Sequence, residues 1–477
     1  MRKLALFATA LGLGLLGAVA FERDANACGG CFGPPPPPTE SPTIVTDHRM
    51  ILSVAKEQST LYDQIRYQGS PESFAWVLPI SGTVDIGLSA DIVFTGLDQM
   101  TTTTLQAPPL NCPQRPTNCN SGRGAFDSAN AGSAAPEEGG VQVIKKEIVG
   151  PYETVQLKAD DPQALHKWLA DNGFTVPADV KPVIDVYVAE KFNFLALKLV
   201  PGKGVQEMRP VRVTTKGASA VLPLRMVAAG TGATVGISLW VVGEGRYEPQ
   251  NFQSFYINTD ELVWDWTSQK SNYVDLRAQK TAAGGGRVWE TESSQILYRQ
   301  NLESYVVNGF AGGNRGGAPF PTTDEERAAQ FYLPVKDEQG NVIKTAAQVR
   351  DEDMDTLFFG IPTATTRITR MRADLNRAAL DVDLVMTASQ DQAVLPAFRQ
   401  ITRELNQPQC PVWNGCTQDG TAPRDEAFAR SSSSAEETFS CATGASRESY
   451  AEGGIGAFLA IALVRKVRER RRQRKGA

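Results

Sequence analysis

Histidine is almost missing from this chain: its 477 residues hold two, His48 and His166. A Ser-His-Asp triad needs a histidine beside its nucleophile and a catalytic zinc usually needs two or three, so either centre would have to be assembled from this one pair. Cysteine is sparse too, seven in all, which excludes a disulfide-dense miniprotein. Long apolar runs are confined to the two ends, at residues 4–21 and 453–464. The formal net charge is only −5, but that value hides an asymmetry. The last thirteen residues carry eight basic side chains against Glu469, a net +7, and residues 1–27 carry +1, so residues 28–464 hold −13. An acidic body repels polyphosphate, and no nucleic-acid partner is expected.

What is present begins with the N-terminus. Arg2 and Lys3, an apolar run and the small-x-small stretch Ala25-Asn26-Ala27 describe a secretory signal peptide over 1–27, removed before Cys28. Gly12, Gly14 and Gly17 weaken the alternative of a spanning helix. Cleavage there would expose Cys28 for acylation, but the polar residues 22–26 separate it from the apolar run. Export places the chain in an oxidising compartment, where cysteines are expected to pair. By proximity the pairs would be Cys28 with Cys31, Cys112 with Cys119 and Cys410 with Cys416, leaving Cys441 alone, although spacing does not fix connectivity. Cys28-Gly29-Gly30-Cys31 has redox-motif spacing, but Pro34 to Pro38 follow where the thiol-activating helix would have to start.

Five segments follow from composition. A proline-rich leader covers 28–43. A β-rich domain covers 44–400, with a loop excursion at 105–140 dominated by Pro, Asn, Gly, Ser and Ala. Residues 401–452 read as a disordered tether with a cysteine loop, and 453–477 as a short apolar segment with an Arg-rich tail. Within the domain, alternating runs at 49–56 and 60–67 form a hairpin pattern, and 73–80 is an almost continuously apolar strand. Phe74, Trp76 and Leu78 should face one side of it and Ala75 and Val77 the other.

An Asp cap, Pro162 and Gly173 bracket a helix over 161–172, with His166 off its apolar stripe and expected to be solvated. A second helix is expected at 183–189, and strands at 192–200, 211–214, 220–226, 235–242 and 252–257. Residues 284–320 read as glycine-rich loop, and 323–330 as a helix. The fold class is therefore α+β: mixed, mostly antiparallel sheets with a few short helices.

Motifs that carry chemistry are few. Ser53-Val54-Ala55-Lys56 has S-x-x-K spacing, but on a strand residues three apart face opposite sides. Gly230 to Gly236 departs from a dinucleotide fingerprint by one position and reads as a turn. Asp351, Asp353 and Asp355 alternate as the first ligands of a calcium loop do, making calcium the one candidate cofactor. Thr356 stands where such a loop needs glycine, and Pro362 where it needs a bidentate glutamate.

The C-terminal order of cysteine, apolar segment and Arg cluster resembles the tripartite surface-sorting tails of some Gram-negative bacteria, which makes Cys441 a sorting or lipidation candidate. Twelve apolar residues rise about 18 Å, short of the roughly 30 Å hydrocarbon core, so a spanning tail would need its cationic side chains to snorkel. Basic residues stay cytoplasmic, so an inserted tail would hold the body outside and make the membrane its partner.

The stretch Ile65-Arg66-Tyr67-Gln68-Gly69-Ser70-Pro71-Glu72-Ser73-Phe74-Ala75-Trp76-Val77-Leu78-Pro79-Ile80 resembles the hallmark of the bacterial family called domain of unknown function 2330. Gly150 to Glu153, Leu165 to Phe174, Leu222 to Met226 and Thr369 to Arg372 agree in order. The resemblance implies an exported bacterial protein and supplies no reaction or ligand. The expectation is a noncatalytic envelope protein, extracytoplasmic and tied to the membrane, with a binding or structural role. The alternative is an extracytoplasmic hydrolase with an unrecognised site.

Overall fold

The computed structural model describes residues 31–32, 44–68, 75–115, 146–172 and, with short gaps, 176–308 and 321–431. The expected signal peptide, most of the expected leader, Cys28, Cys119, Cys441 and the basic tail lie outside the described residues. Two compact units form, one within residues 1–108 and 124–406, the other within 109–123 and 407–477.

The larger unit is β-rich and mixed, with mostly antiparallel pairing, as expected. Its main sheet has eight strands in the spatial order Gln253–Phe255, Val288–Ile296, Thr366–Asn376, Thr234–Glu244, Ile44–Val54, Gln58–Gln68, Val211–Lys216 and Asp85–Leu88. The expected hairpin is the Ile44–Val54 and Gln58–Gln68 pair, which runs with one register shift between Val45 and Asp47. At the centre Ile44–Val54 instead meets Thr234–Glu244 in parallel, a pairing of segments nearly two hundred residues apart.

Alternation explains why this sheet is covered on both sides. In Thr234–Glu244, Ile237, Leu239 and Val241 pack with Met50, Leu52 and Met371 on one face. Trp240 and Val242 pack with Ile51 and Ile368 on the other, beneath helices that supply Phe94, Leu97, Leu302 and Leu357.

A second sheet of five strands runs Cys31–Phe32, Ala75–Ile80, Asn193–Leu199, Tyr152–Leu157 and Lys146–Val149. The hallmark strand sits inside it and is buried on both faces, with Trp76 and Leu78 opposite Val77 as expected, while Phe74 lies outside the described residues. Val77 meets the Pro162–Asp171 and Lys181–Ala189 helices through Leu165, Leu169 and Ile184. Trp76, Leu78 and Ile80 face Val211 and Val213 of the main sheet, so the two sheets share one apolar layer.

Several readings need correction. Residues 220–226 form a two-residue strand, Val221–Leu222, and a helical turn, Leu224–Val227, because Pro223 interrupts the run. Residues 284–320 contain the strand Val288–Ile296 and the helix Arg299–Asn308. The strand lacks an apolar signature because Glu290, Thr291, Glu292, Ser293 and Ser294 are polar yet buried.

In the smaller unit Gln409–Asn414 and Thr417–Pro423 form a hairpin and 424–431 are helical, so the first part of the expected tether is folded. Two of the proximity pairs, Cys112 with Cys119 and Cys410 with Cys416, fail as well, while Cys28, the partner expected for Cys31, lies outside the described residues. Cys112 is bonded to Cys410 across 298 residues, with Cys410 fully buried beside Val412, Ala422 and Ala427. Cys416 is also disulfide-bonded, and so not to Cys410. Cys416 sits at the turn of the hairpin that holds Cys410, whereas folding brings Cys112 to Cys410.

Candidate functional site

The acidic run at 351–355 lies on a helix, Ala346–Leu357, because Thr345 and Gln348 form a capping box and Ala346, Arg350, Asp353, Met354 and Leu357 repeat at helical spacing on its buried side. A helix points alternate carboxylates apart. Asp351 pairs with Arg350 at 2.7 Å, and Asp355 with Arg299 at 2.7 Å. Asp353 turns inward. The calcium-loop reading is thereby corrected, and no group of three or more His, Cys, Asp or Glu able to hold a metal gathers among the described residues.

Asp353 is fully buried and fully used. Ser89 Oγ donates to its Oδ2 at 2.6 Å and Tyr332 OH to the same oxygen at 3.0 Å, while Arg212 Nη1 donates to Oδ1 at 3.1 Å. Burial pushes the Asp353 carboxyl up, and Arg212 with the two hydroxyls pulls it back. Arg212 also bonds Glu352, which Lys344 holds from outside. This is a bolt between the helix and the Val211–Lys216 strand. A second buried centre has the same character: Arg370 joins Glu292 and Asp98 and stacks on Trp240, with the Arg370 carbon 5.2 Å from the ring centre.

Between the two sheets of the larger unit the pattern changes. Asp63, on the Gln58–Gln68 strand, has a side chain only 3% exposed, and its Oδ1 makes no hydrogen bond. His48 of the neighbouring strand is as deeply buried, its Nδ1 is 3.6 Å from that oxygen, and neither ring nitrogen makes a hydrogen bond. Buried polar atoms are normally satisfied, so a vacant carboxylate oxygen beside a vacant imidazole is unusual.

Asp63 forms part of the wall of a cavity of about 50 Å³, room for a few waters. Trp76, Tyr152, Leu197, Met208 and Val211 supply apolar wall, and Gln64, Asp91 and Arg209 its polar parts. The polar parts are largely occupied by one another. Gln64 bonds Asp91 and accepts from Arg49 Nη1 at 3.0 Å, Tyr152 OH donates to the Arg209 carbonyl at 2.7 Å, and Arg209 Nη1 donates to the Met208 carbonyl at 3.0 Å.

The remaining sequence-marked residues do not come to this cavity. Ser53 Oγ donates to the Leu357 carbonyl at 2.8 Å inside the core, which removes it as a nucleophile. His166, expected on the surface, is buried, and its Nε2 lies 2.7 Å from Asp185 Oδ1. Its partner stands on the next helix, so the stripe of one helix alone could not reveal it. Asp63, Asp91 and Arg209 carried no signal in the sequence; Trp76 and Tyr152 did, as parts of the segments that resemble the family.

The fold and cavity define a β-rich α+β protein whose polar pocket lies between two sheets. Residues 24–308 match a bacterial family described as "Uncharacterized protein conserved in bacteria (DUF2330)", and the chain belongs to that family. Every cavity wall residue falls inside the matched range, whereas Asp353 falls outside it. No curated protein matches the chain. Among solved structures, the crystal structure of baculovirus P35 is similar at a TM-score of 0.25 and 10% identity, covering 73% of this chain and 98% of that one.

Proposed function

We propose that the chain is an exported, noncatalytic envelope protein that is held at a membrane by its C-terminal segment and uses its β-rich body for binding. The observation that carries the noncatalytic part is the internal use of buried charge: Asp353, Arg212, Arg370 and Glu292 each close onto partners within the protein. Groups bound in this way fix sheets and helices to one another and are themselves unavailable as acid, base or nucleophile.

Export is supported by the Cys112–Cys410 disulfide, which belongs in an oxidising compartment, and by the signal-peptide pattern. Membrane attachment rests on the apolar and Arg-rich sequence after Gly453. Fractionation of the native bacterium with mass spectrometry of the mature termini tests the proposal. An envelope fraction whose N-terminus begins at or near Cys28 is expected. A cytoplasmic protein retaining Met1 would overturn it.

A further inference from the structure

We infer that the cavity beside Asp63 is a binding site for the ammonium group of a small primary alkylamine. The inference rests on the reading of the protein as a binder and names the chemistry that its pocket takes.

The walls differ in what they have left to offer. Gln64, Tyr152 and Arg209 are joined to Asp91 and to backbone carbonyls, as described above. Asp63 Oδ1 has no hydrogen bond, and a carboxylate oxygen can only accept. The complementary group is therefore a donor. Since an uncompensated buried carboxylate is costly, a cationic donor complements it better than a neutral one. Asp91 adds a second negative charge, while the Arg209 guanidinium is turned toward the carbonyls of Glu207 and Met208.

Size and lining narrow the class further. About 50 Å³ admits a compact ammonium head and a short stem, not a guanidinium with a long chain. Trp76, Leu197, Met208 and Val211 offer apolar surface to a stem, and the Trp76 and Tyr152 rings are surfaces that favour a cation. His48 stands behind the carboxylate at 3.6 Å, too far for a hydrogen bond, so the carboxylate's demand for a donor is unmet within the protein.

Isothermal titration of the purified full chain with propylammonium chloride tests the site. Saturable millimolar or tighter binding is expected, weakened about tenfold or more by Asp63→Asn, which keeps shape and removes charge. Met208→Trp, which fills the cavity and leaves the identity of both His48 and Asp63 unchanged, should also abolish it, so the test survives if one variant fails to fold. Tetramethylammonium, which donates no hydrogen bond, and potassium are the comparison ligands. Equal binding of either, or unchanged binding in both variants, would overturn the site. Mass spectrometry of the amine after incubation separates the two readings. Amine recovered unchanged supports a binder, whereas bound and converted amine would keep the site and refute the noncatalytic function.

Discussion

His48 Nδ1 stands 3.6 Å from Asp63 Oδ1, both side chains are out of solvent, and no hydrogen bond reaches either atom. The pair belongs to adjacent strands at the centre of the main sheet, where a vacant polar group weakens the fold rather than supports it. Asp63→Asn should therefore cost less than about 1 kcal/mol in urea unfolding, since no hydrogen bond to that oxygen is lost. A loss comparable to that of a buried bolt would show that the oxygen has a partner after all.

Asp353 gives the opposite expectation. Asp353→Ala strands the buried Arg212 charge and should cost about 3–5 kcal/mol. Replacing both, as Arg212→Met with Asp353→Leu, should recover most of that loss, because two apolar side chains leave no charge behind. Double-mutant unfolding curves check the pair, and simple additivity would contradict the bolt.

Gly87 is needed for the same bolt. A Cβ there would come within 2.6 Å of Arg212 Nε, so Gly87→Ala must displace the guanidinium. The expected loss is about 1–3 kcal/mol. The Asp353→Ala background should blunt it, since the guanidinium then has less to hold it in place; thermal unfolding of the two single variants and the double variant reads this out.

The Cys112–Cys410 disulfide closes a loop of nearly three hundred residues. Cys410→Ser should destabilise the smaller unit by about 2–4 kcal/mol. Limited proteolysis should then cut within 407–431 while the main sheet stays protected. Equal protection of 407–431 in the variant would show that Val412, Ala422 and Ala427 suffice without the bond.

Acid should release one surface turn only well below the ordinary carboxylate range. Ser268 Oγ at 2.7 Å, Asn406 Nδ2 at 2.6 Å and the Thr267 N–H at 2.9 Å all donate to Asp265 and hold its carboxyl down at about 2. A carboxyl depressed in the folded state stabilises it above the unfolded value, here 3.8, and loses that contribution as pH falls toward 2. Asp265→Asn should thus be less stable than the parent at pH 5, with the difference shrinking between pH 4 and pH 2. A constant difference across that range would refute the assignment.

Legibility followed how local the deciding forces were. The Ile44–Val54 and Gln58–Gln68 hairpin shows in alternation, and the Pro162–Asp171 helix in its Asp161 cap, whose oxygens accept from the Gln163 and Ala164 amides. Trp76 and Val77 reveal a strand buried on both faces, because no polar residue interrupts them. The misses lie where distant segments decide. Glu290 and Glu292 are tolerated inside a strand only because Tyr273, Arg277 and Arg370 meet them. Asp351, Asp353 and Asp355 resemble a loop until Thr345 starts a helix beneath them. The cavity was hidden for the same reason, since Asp63, Trp76, Tyr152 and Val211 come from four strands and no short motif joins them.

The most direct test of the account is the redox state of the cysteines in the native bacterium. Cells are quenched with an alkylating reagent, and the protein is digested without reduction and mapped by mass spectrometry. An exported protein should yield one cross-linked peptide pair joining Cys112 to Cys410, with neither cysteine alkylated. Both cysteines alkylated in the quenched cells would place the chain in a reducing compartment and contradict the proposed export.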